Sequence, residues 1–314
     1  MNRDEQEDQK ASWCRFYSLR NFTKAKSAQT MSLKFKFNFA LLGLAILCWP
    51  AQTFAQKLAI LAPVKTDLTE KFAGVLHDSL SSKLVILDNS LSGTAFQSVV
   101  VENVFNMTAR DAKRIAAIIG CDYFLIVQTG SLRRSSFEKA EYYEAYYVLY
   151  LVSGRTGRLS LWDLRSFEAN STGEAEKLLI KSSDDLSIIV AEKMTAAFKI
   201  EIAEEPVSLI EEVPVESSTK DKTFQPPMPF KRIKPDYTRT AYLYDAKGTV
   251  DISVDIDQNG AVKRTEIIRW AGYGLDESVV EAVRKMNWRP AERGGKPLPM
   301  RVLLRYNFTK IDKE

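Results

Sequence analysis

The chain has 314 residues, 45% of them hydrophobic, enough to bury a sizeable core and to fill two domains. Its formal net charge of +4 belongs to the front end, where residues 1–55 hold 8 Lys/Arg against 4 Asp/Glu, so the remainder is balanced. No positive field survives there to collect phosphates, and nucleic acid is excluded as the expected partner.

Residues 1–30 carry no periodicity and read as a mis-assigned or disordered start, with translation beginning at Met31. From Met31 the text is that of a secretory signal: Lys34 and Lys36, an apolar run from Phe39 to Trp49, then Pro50 and Thr53-Phe54-Ala55. The run of about 11 residues falls short of the roughly 20 that a spanning helix needs. Residues 31–55 are therefore expected to be a signal peptide cleaved after Ala55, leaving Gln56 first. The alternative is an uncleaved anchor from Phe37 to Ala55, against which Asn38 and Gln52 count. Cys48 follows the bulky Leu47, which argues against a lipid attachment site. Cleavage leaves Cys121 alone, so no internal disulfide is expected, and with a single His no zinc site either.

Residues 56–202 read as one unit. Leu58 to Val64 is a continuous apolar run of strand length, as in a strand covered on both faces. Leu68, Phe72, Leu76 and Leu80 follow at helical spacing, and Lys83 to Asp88 is a short strand. Thr108 and Asp111 open a helix bearing Ala112, Ile115, Ala116 and Ile119, which Gly120 stops. Asp122 to Val127 is a buried strand, with Cys121 at its mouth as a buried small residue. Tyr142 to Val152 and Arg158 to Asn170 form a hairpin around Ser153-Gly154-Arg155-Thr156-Gly157. A helix from about Asp184 to Ile200, with Leu186, Ile189, Val190, Met194, Ala197 and Phe198 on its apolar stripe, closes the unit. Strand–helix alternation followed by a hairpin and a helix predicts an α/β sandwich.

Around Glu201 to Pro227 the composition turns acidic, punctuated by Pro206, Pro214, Pro226 and Pro227. Too little is apolar to fold, so 203–228 is expected to be a linker, locally stiff and reaching at most roughly 90 Å. Residues 229–310 then read as a small α+β domain. Val250, Ile252, Val254 and Ile256 alternate with Asp251, Ser253, Asp255 and Asp257, one row apolar and the other facing water. Asn259-Gly260 supplies the positive-φ residues of a hairpin returning from Ala261 to about Trp270. Leu275, Val279, Val283 and Met286 lie on one helical stripe, with Asp276 and Glu277 in the first turn and Arg284 and Lys285 in the last, complementing the dipole. Trp288 to Arg301 is turn-rich, its prolines forbidding regular pairing, and the last strand runs from Met300 to Phe308. Strand, strand, helix, strand places the helix on one face of a short sheet.

The run from Pro229 to Phe308 resembles the TonB C-terminal domain of bacterial energy transducers. The matching pieces are Pro235-Asp236-Tyr237, the hairpin from Gly248-Thr249-Val250 to Asp257-Gln258-Asn259-Gly260, and Leu275-Asp276. They continue through Trp288-Arg289-Pro290-Ala291 and Gly294-Gly295-Lys296-Pro297 to Phe308. One departure is Tyr237-Thr238, where the family commonly has Tyr-Pro. Residues 57–200 resemble, through fewer motifs, the envelope domain of curli-assembly lipoproteins, penicillin-binding-protein activator lipoproteins and the amino-terminal part of TolB. The carrying pieces are Leu58 to Val64, Ala117 to Leu125 and the turn Tyr150 to Gly157.

A search for chemistry finds no phosphate loop, no nucleophile elbow and no His/Cys cluster at ligand spacing, so neither an enzyme nor a cofactor is expected. His77 flanks its helix stripe without an identified Ser or Cys partner, and Arg133-Arg134-Ser135-Ser136 reads as a polar loop rather than an anion site. Asp251, Asp255 and Asp257 read as a wet face rather than a metal site, and Tyr142, Tyr143, Tyr146, Tyr147 and Tyr150 as core and interface packing. The last strand, if it is a sheet edge, can recruit an extended peptide through its main chain. The resemblance implies that this peptide is a periplasmic segment of an outer-membrane receptor or another envelope protein, and that the work is linked to transmembrane transport. The contact is expected at Met300, Arg301, Val302, Leu303, Leu304, Arg305 and Tyr306, unless that strand pairs internally or in a homodimer. Energy transducers resembling this domain have a much longer Pro-rich spacer and a His in the anchoring helix. An inner-membrane motor is therefore a partner only if residues 37–55 stay as an anchor. The competing expectation is an exported, unenergised scaffold or adaptor in the periplasm.

Overall fold

The computed structural model describes residues 56–204, 210–214 and 223–310. The readings of residues 1–30 and 31–55 lie outside these residues.

The front unit is built on a sheet whose strands are apolar on both faces. In chain order it contains β1 (Lys57–Leu61), α1 (Asp67–Ser81), β2 (Val85–Ile86), α2 (Asn89–Gln97), α3 (Ala109–Ile119), β3 (Tyr123–Arg134), β4 (Tyr142–Ser153), β5 (Leu159–Ala169), α4 (Thr172–Lys181) and α5 (Ser183–Ala203). The strand order is β2-β1-β3-β4-β5. It is parallel through β3, where helices make the crossovers, and antiparallel from β3 to β5, where tight connections suffice. Alternation divides the strands between two cores. Leu58, Ile60, Tyr123, Leu125, Tyr147 and Leu149 meet Phe72, Leu76 and Leu80 of α1, Leu179 of α4 and Val190 of α5. On the other face Ala59, Leu61, Phe124, Ile126, Tyr150 and Val152 meet Ala112, Ile115 and Ala116 of α3. The expected α/β sandwich is present.

Local chemistry fixes the helix ends. Thr66 and Thr108 cap α1 and α3, each hydroxyl accepting the N–H three residues on, and Gly120 ends α3 in the left-handed region at φ 78°. Two helices of this unit, α2 and α4, are additional to those the sequence predicts. In α2 only Ser92 is buried, so it has little apolar stripe to be read, and α4 is short and follows the strand β5 directly. β3 runs seven residues beyond the expected Val127, carrying Arg133 and Arg134 inside the strand rather than in a loop. Pairing along all of β4 overrides the polar composition there, and Arg134 reaches buried Glu144 at 2.7 Å.

The C-terminal unit has β6 (Phe224–Gln225), β7 (Met228–Pro229), α6 (Arg239–Leu243), β8 (Gly248–Ile256), β9 (Val262–Arg269), α7 (Leu275–Arg284), β10 (Trp288–Arg289), β11 (Ala291–Arg293), β12 (Lys296–Leu298) and β13 (Met300–Phe308). The order β13-β8-β9 is antiparallel throughout, and α7 lays Leu275, Val279 and Val283 on Val250, Ile252, Val254 and Ile256. The expected strand, strand, helix, strand is found, and with it a two-domain α/β and α+β architecture. Only Gly260 of the hairpin has positive φ, 81°, while Asp257 Oδ1 accepts from the N–H groups of Asn259 and Ala261. A side chain at Gly260 would also put its Cβ 2.0 Å from the Trp288 carbonyl oxygen.

Two expectations about pairing are corrected. The passage from Trp288 to Leu298 is not free of regular structure: β11 and β12 pair across Gly294-Gly295, both at positive φ. The end of the proposed linker pairs too, β6 with β11 and β7 with β10. Apolar content decides whether a segment makes its own core, but an existing strand edge pairs with any backbone that supplies N–H and C=O groups.

The two sheets belong to one compact unit. Asn106, 7% exposed, lies between them: its Nδ2 donates to the carbonyls of Thr249 and Trp270, each at 2.7 Å, and its Oδ1 accepts from Thr249 N–H at 2.9 Å. Trp270 is buried in the front unit's second core, 5.4 Å from the Tyr150 ring. Gly272 passes so close to Trp162 that a Cβ would stand 2.4 Å from the indole Cδ1. Arg158 joins Glu204 and Glu266 from the two sides.

Candidate functional site

The C-terminal sheet has β8 at its centre, so its two outer strands decide what it can recruit. One of them is already engaged: Arg269 at the end of β9 bridges to Thr108 of the front unit. The other is β13, laddered to β8 from Met300↔Ile256 to Phe308↔Gly248.

Alternation sorts the seven residues expected to meet a partner. Met300 is fully buried, and Val302, Leu304 and Tyr306 pack half-buried against the apolar core under α7. Arg301, Leu303 and Arg305 project from the opposite face. Arg301 directs both main-chain groups away from β8, its N–H donating to the Glu211 carbonyl at 2.8 Å and its carbonyl accepting from Val213 N–H at 3.0 Å. In an antiparallel ladder every second residue points the same way, so Leu303, Arg305 and Asn307 also present N–H and C=O outward. Leu303 is 62% exposed. Among the described residues, the bridge between Glu212 and Arg301 is the one pairing on this side of β13.

The carboxylate row of β8 is not the wet face expected. Asp251 and Asp255 are 3% and 4% exposed. Arg301 clamps Asp255 at 2.6 and 2.9 Å, and Arg305 clamps Asp251 at 2.7 and 3.0 Å with Arg269 behind it at 3.2 Å. Burial works to raise the Asp251 carboxyl, but the hydrogen bonds and charges of Arg305 and Arg269 outweigh it and hold it below the ordinary carboxylate range. The Asp255 carboxylate in turn raises Arg301. The signal was present in the sequence: Asp251/Asp255 and Arg301/Arg305 share a spacing of four, which on paired strands puts opposite charges face to face. Asp257, the third of the row, closes the hairpin and meets Lys263 at 3.2 Å.

Hollows flank this sheet. One of ≈ 620 Å³ lies at the far end of β13, between Pro235, Tyr237, Tyr242, Tyr306 and Phe308. Another, ≈ 990 Å³, lies between β5, β9 and α7, lined by Trp162, Trp270, Ile267 and Asp276. Asp276 does more than face the helix dipole: buried, it accepts from the N–H groups of Ala271 and Gly272, and burial pushes its pKa up to about 7.

The remaining candidates show no assembled chemistry. His77 lies on the flank of α1, 3.3 Å from Asp78. Ser81 stands one turn on with Oγ 3.5 Å from the ring, a partner the sequence had not singled out, but it donates to the His77 carbonyl at 2.7 Å. Cys121 is buried, its pKa pushed up to about 12 by burial and then by Asp122, so the thiol stays protonated. Tyr147 and Tyr150 enter opposite cores, Tyr146 meets Tyr244 at a tilt with ring centroids 5.0 Å apart, Tyr143 donates to Glu141, and Tyr142 lies under Lys139. Among the described residues no group of His, Cys, Asp and Glu could hold a metal ion, and no helix is long and apolar enough to cross a membrane.

Geometry thus defines a small α+β domain that presents one sheet edge. Residues 233–309, a span that takes in the β8–β9 hairpin, α7 and β13, match the family described as Gram-negative bacterial TonB protein C-terminal. The match supports a protein of the bacterial cell envelope. Among solved structures, the TonB C-terminal domain of Pseudomonas aeruginosa is 22% identical over 30% of this chain and 93% of its own, with a TM-score of 0.25. A lipoprotein of Neisseria meningitidis is 14% identical over 48% and 99%, TM-score 0.30. The LpoB C-terminal domain of Salmonella enterica is 15% identical over 40% and 92%, TM-score 0.24. No curated protein matches the chain.

Proposed function

We propose that this is a periplasmic, non-enzymatic protein that captures an extended segment of an outer-membrane receptor or other envelope protein by strand addition to β13, in a process linked to transmembrane transport. The observation that carries the reading is the outward main chain of Leu303 and Arg305 on a strand whose inner side is fully laddered. A partner strand gains main-chain bonds there, and alternate side chains fix its register. Its contact is assigned to Met300–Tyr306, with Met300, Val302, Leu304 and Tyr306 supporting the strand from within.

Leu303→Pro tests this directly. It removes one outward N–H and none of the bonds between β13 and β8, and proline is tolerated on an edge strand. Leu303→Ala is the control that keeps the main chain. In pull-downs from cell-envelope extract, Leu303→Pro should lose partners that the wild type and Leu303→Ala retain. Equal capture by all three overturns the reading.

Within this reading, the fixed docking through Asn106 and Trp270 favours an unenergised adaptor over an energy transducer. Those contacts join the front unit to the recruiting sheet, and the division between the two is assigned within 203–228, ahead of β6.

A further inference from the structure

The outer side of β13 already holds a short piece of this same chain. Glu211 and Val213 satisfy both main-chain groups of Arg301, the first outward-facing residue of the edge. Glu211 also reaches Arg293 of β11, with its two oxygens 2.6 and 3.2 Å from the guanidinium nitrogens. We propose that Ile210–Pro214 is an internal competitor for the edge, and that the occupant it stands in for is an acidic extended segment of a partner. This rests on the strand-addition reading.

Two features favour a displaceable mimic over a structural strand. The bridge is a single parallel one at Glu212↔Arg301, against a nine-residue register between β13 and β8. The Glu211–Arg293 pair is 48% and 44% exposed, so solvent screens it and its contribution is small. Charge sets the preference for acidic partners: Arg293 takes the Glu211 carboxylate, and Glu212 adds its field to that of Asp255 around Arg301. An incoming segment with a carboxylate at the position of Glu211 would inherit the Arg293 contact and could pair beyond the single bridge, with Leu303.

The test uses the full chain and a fluorescent synthetic peptide copying residues 208–215, read by anisotropy. Glu211→Lys with Val213→Pro in the chain sets a cation against Arg293 and deletes the N–H that meets the Arg301 carbonyl. This double variant should bind the peptide roughly tenfold tighter than the wild type, the factor expected when the competent state rises from a minor fraction to nearly all. Glu211→Ala alone should give an intermediate gain. A peptide with both glutamates replaced by lysine should bind at least roughly tenfold more weakly than the acidic one. Equal affinities for wild type and double variant, both abolished by adding Leu303→Pro, would remove the competitor and leave strand addition standing. Binding indifferent to Leu303→Pro in every background would remove strand addition itself. Equal binding of the acidic and lysine peptides would overturn the charge preference.

Discussion

Asn106→Ala should separate the two sheets energetically. The side chain makes three hydrogen bonds to main-chain groups that lie 143 and 164 residues away in sequence, and it is buried. Alanine leaves the Thr249 N–H and the Thr249 and Trp270 carbonyls without that partner. A net loss of about 1 kcal/mol for each bond gives about 3 kcal/mol, more where the orphaned group stays dry. With a urea dependence of roughly 3 kcal/mol/M, the midpoint should fall by about 1 M. Trp162 and Trp270 sit at the contact, so their fluorescence reports its opening, while far-ultraviolet circular dichroism reports both sheets. Wild type should unfold with coincident curves, and the variant should show the fluorescence transition first. Asn106→Asp should fare worse, because a carboxylate faces two carbonyl oxygens. Coincident curves for Asn106→Ala with a midpoint within about 0.2 M of wild type would refute the latch.

Arg301→Ala should be far more damaging than Leu303→Ala, although the two residues are neighbours on one strand face. The first strands the buried Asp255 carboxylate and should lower stability by about 3–5 kcal/mol, whereas the second trims an exposed side chain and should stay within about 0.5 kcal/mol; urea midpoints of the pair decide it. For Asp276 the folded pKa, about 7, lies above the unfolded value, so its contribution is fully present below about pH 4 and is lost as pH rises through 7. Wild type should therefore weaken between about pH 4 and 8 relative to Asp276→Asn, by up to roughly 4 kcal/mol, and parallel stability profiles for the two proteins would refute the assignment.

The parts of this fold that were legible in the sequence are those that repeat. Val250 to Ile256 announce a strand by alternation, Leu275 to Met286 a helix by their stripe, and the paired hairpin and closing strand follow. Alternation, however, says only that a strand has two faces. That the Asp251 and Asp255 face is covered by arginines depends on the register between β8 and β13, which no local pattern contains. The linker misled for a related reason: Phe224 to Pro229 lacks a core of its own and borrows pairing from β10 and β11. Asn106 was invisible altogether, since a lone asparagine in a loop carries no period, and its role exists only once Thr249 and Trp270 have been brought to it.

A sheet of three strands has two edges, and here they have different fates. The β9 edge turns toward the front unit through Thr108↔Arg269 and Arg158–Glu266, so the docking that Asn106 secures consumes it. The β13 edge lies on the other side of β8. Docking and recruitment therefore use opposite sides of one sheet and should be energetically independent. Asn307 is the β13 residue opposite Thr249, and Leu303 stands four residues from it, about 13 Å along the strand. At that separation, effects on stability should add within about 0.5 kcal/mol. The double variant Asn106→Ala, Leu303→Pro should thus show the stability loss of the first change and the capture loss of the second, neither enlarged by the other. A coupling energy above about 1 kcal/mol in either readout would mean that the two edges communicate through β8, and the adaptor would have to be redrawn as a switch.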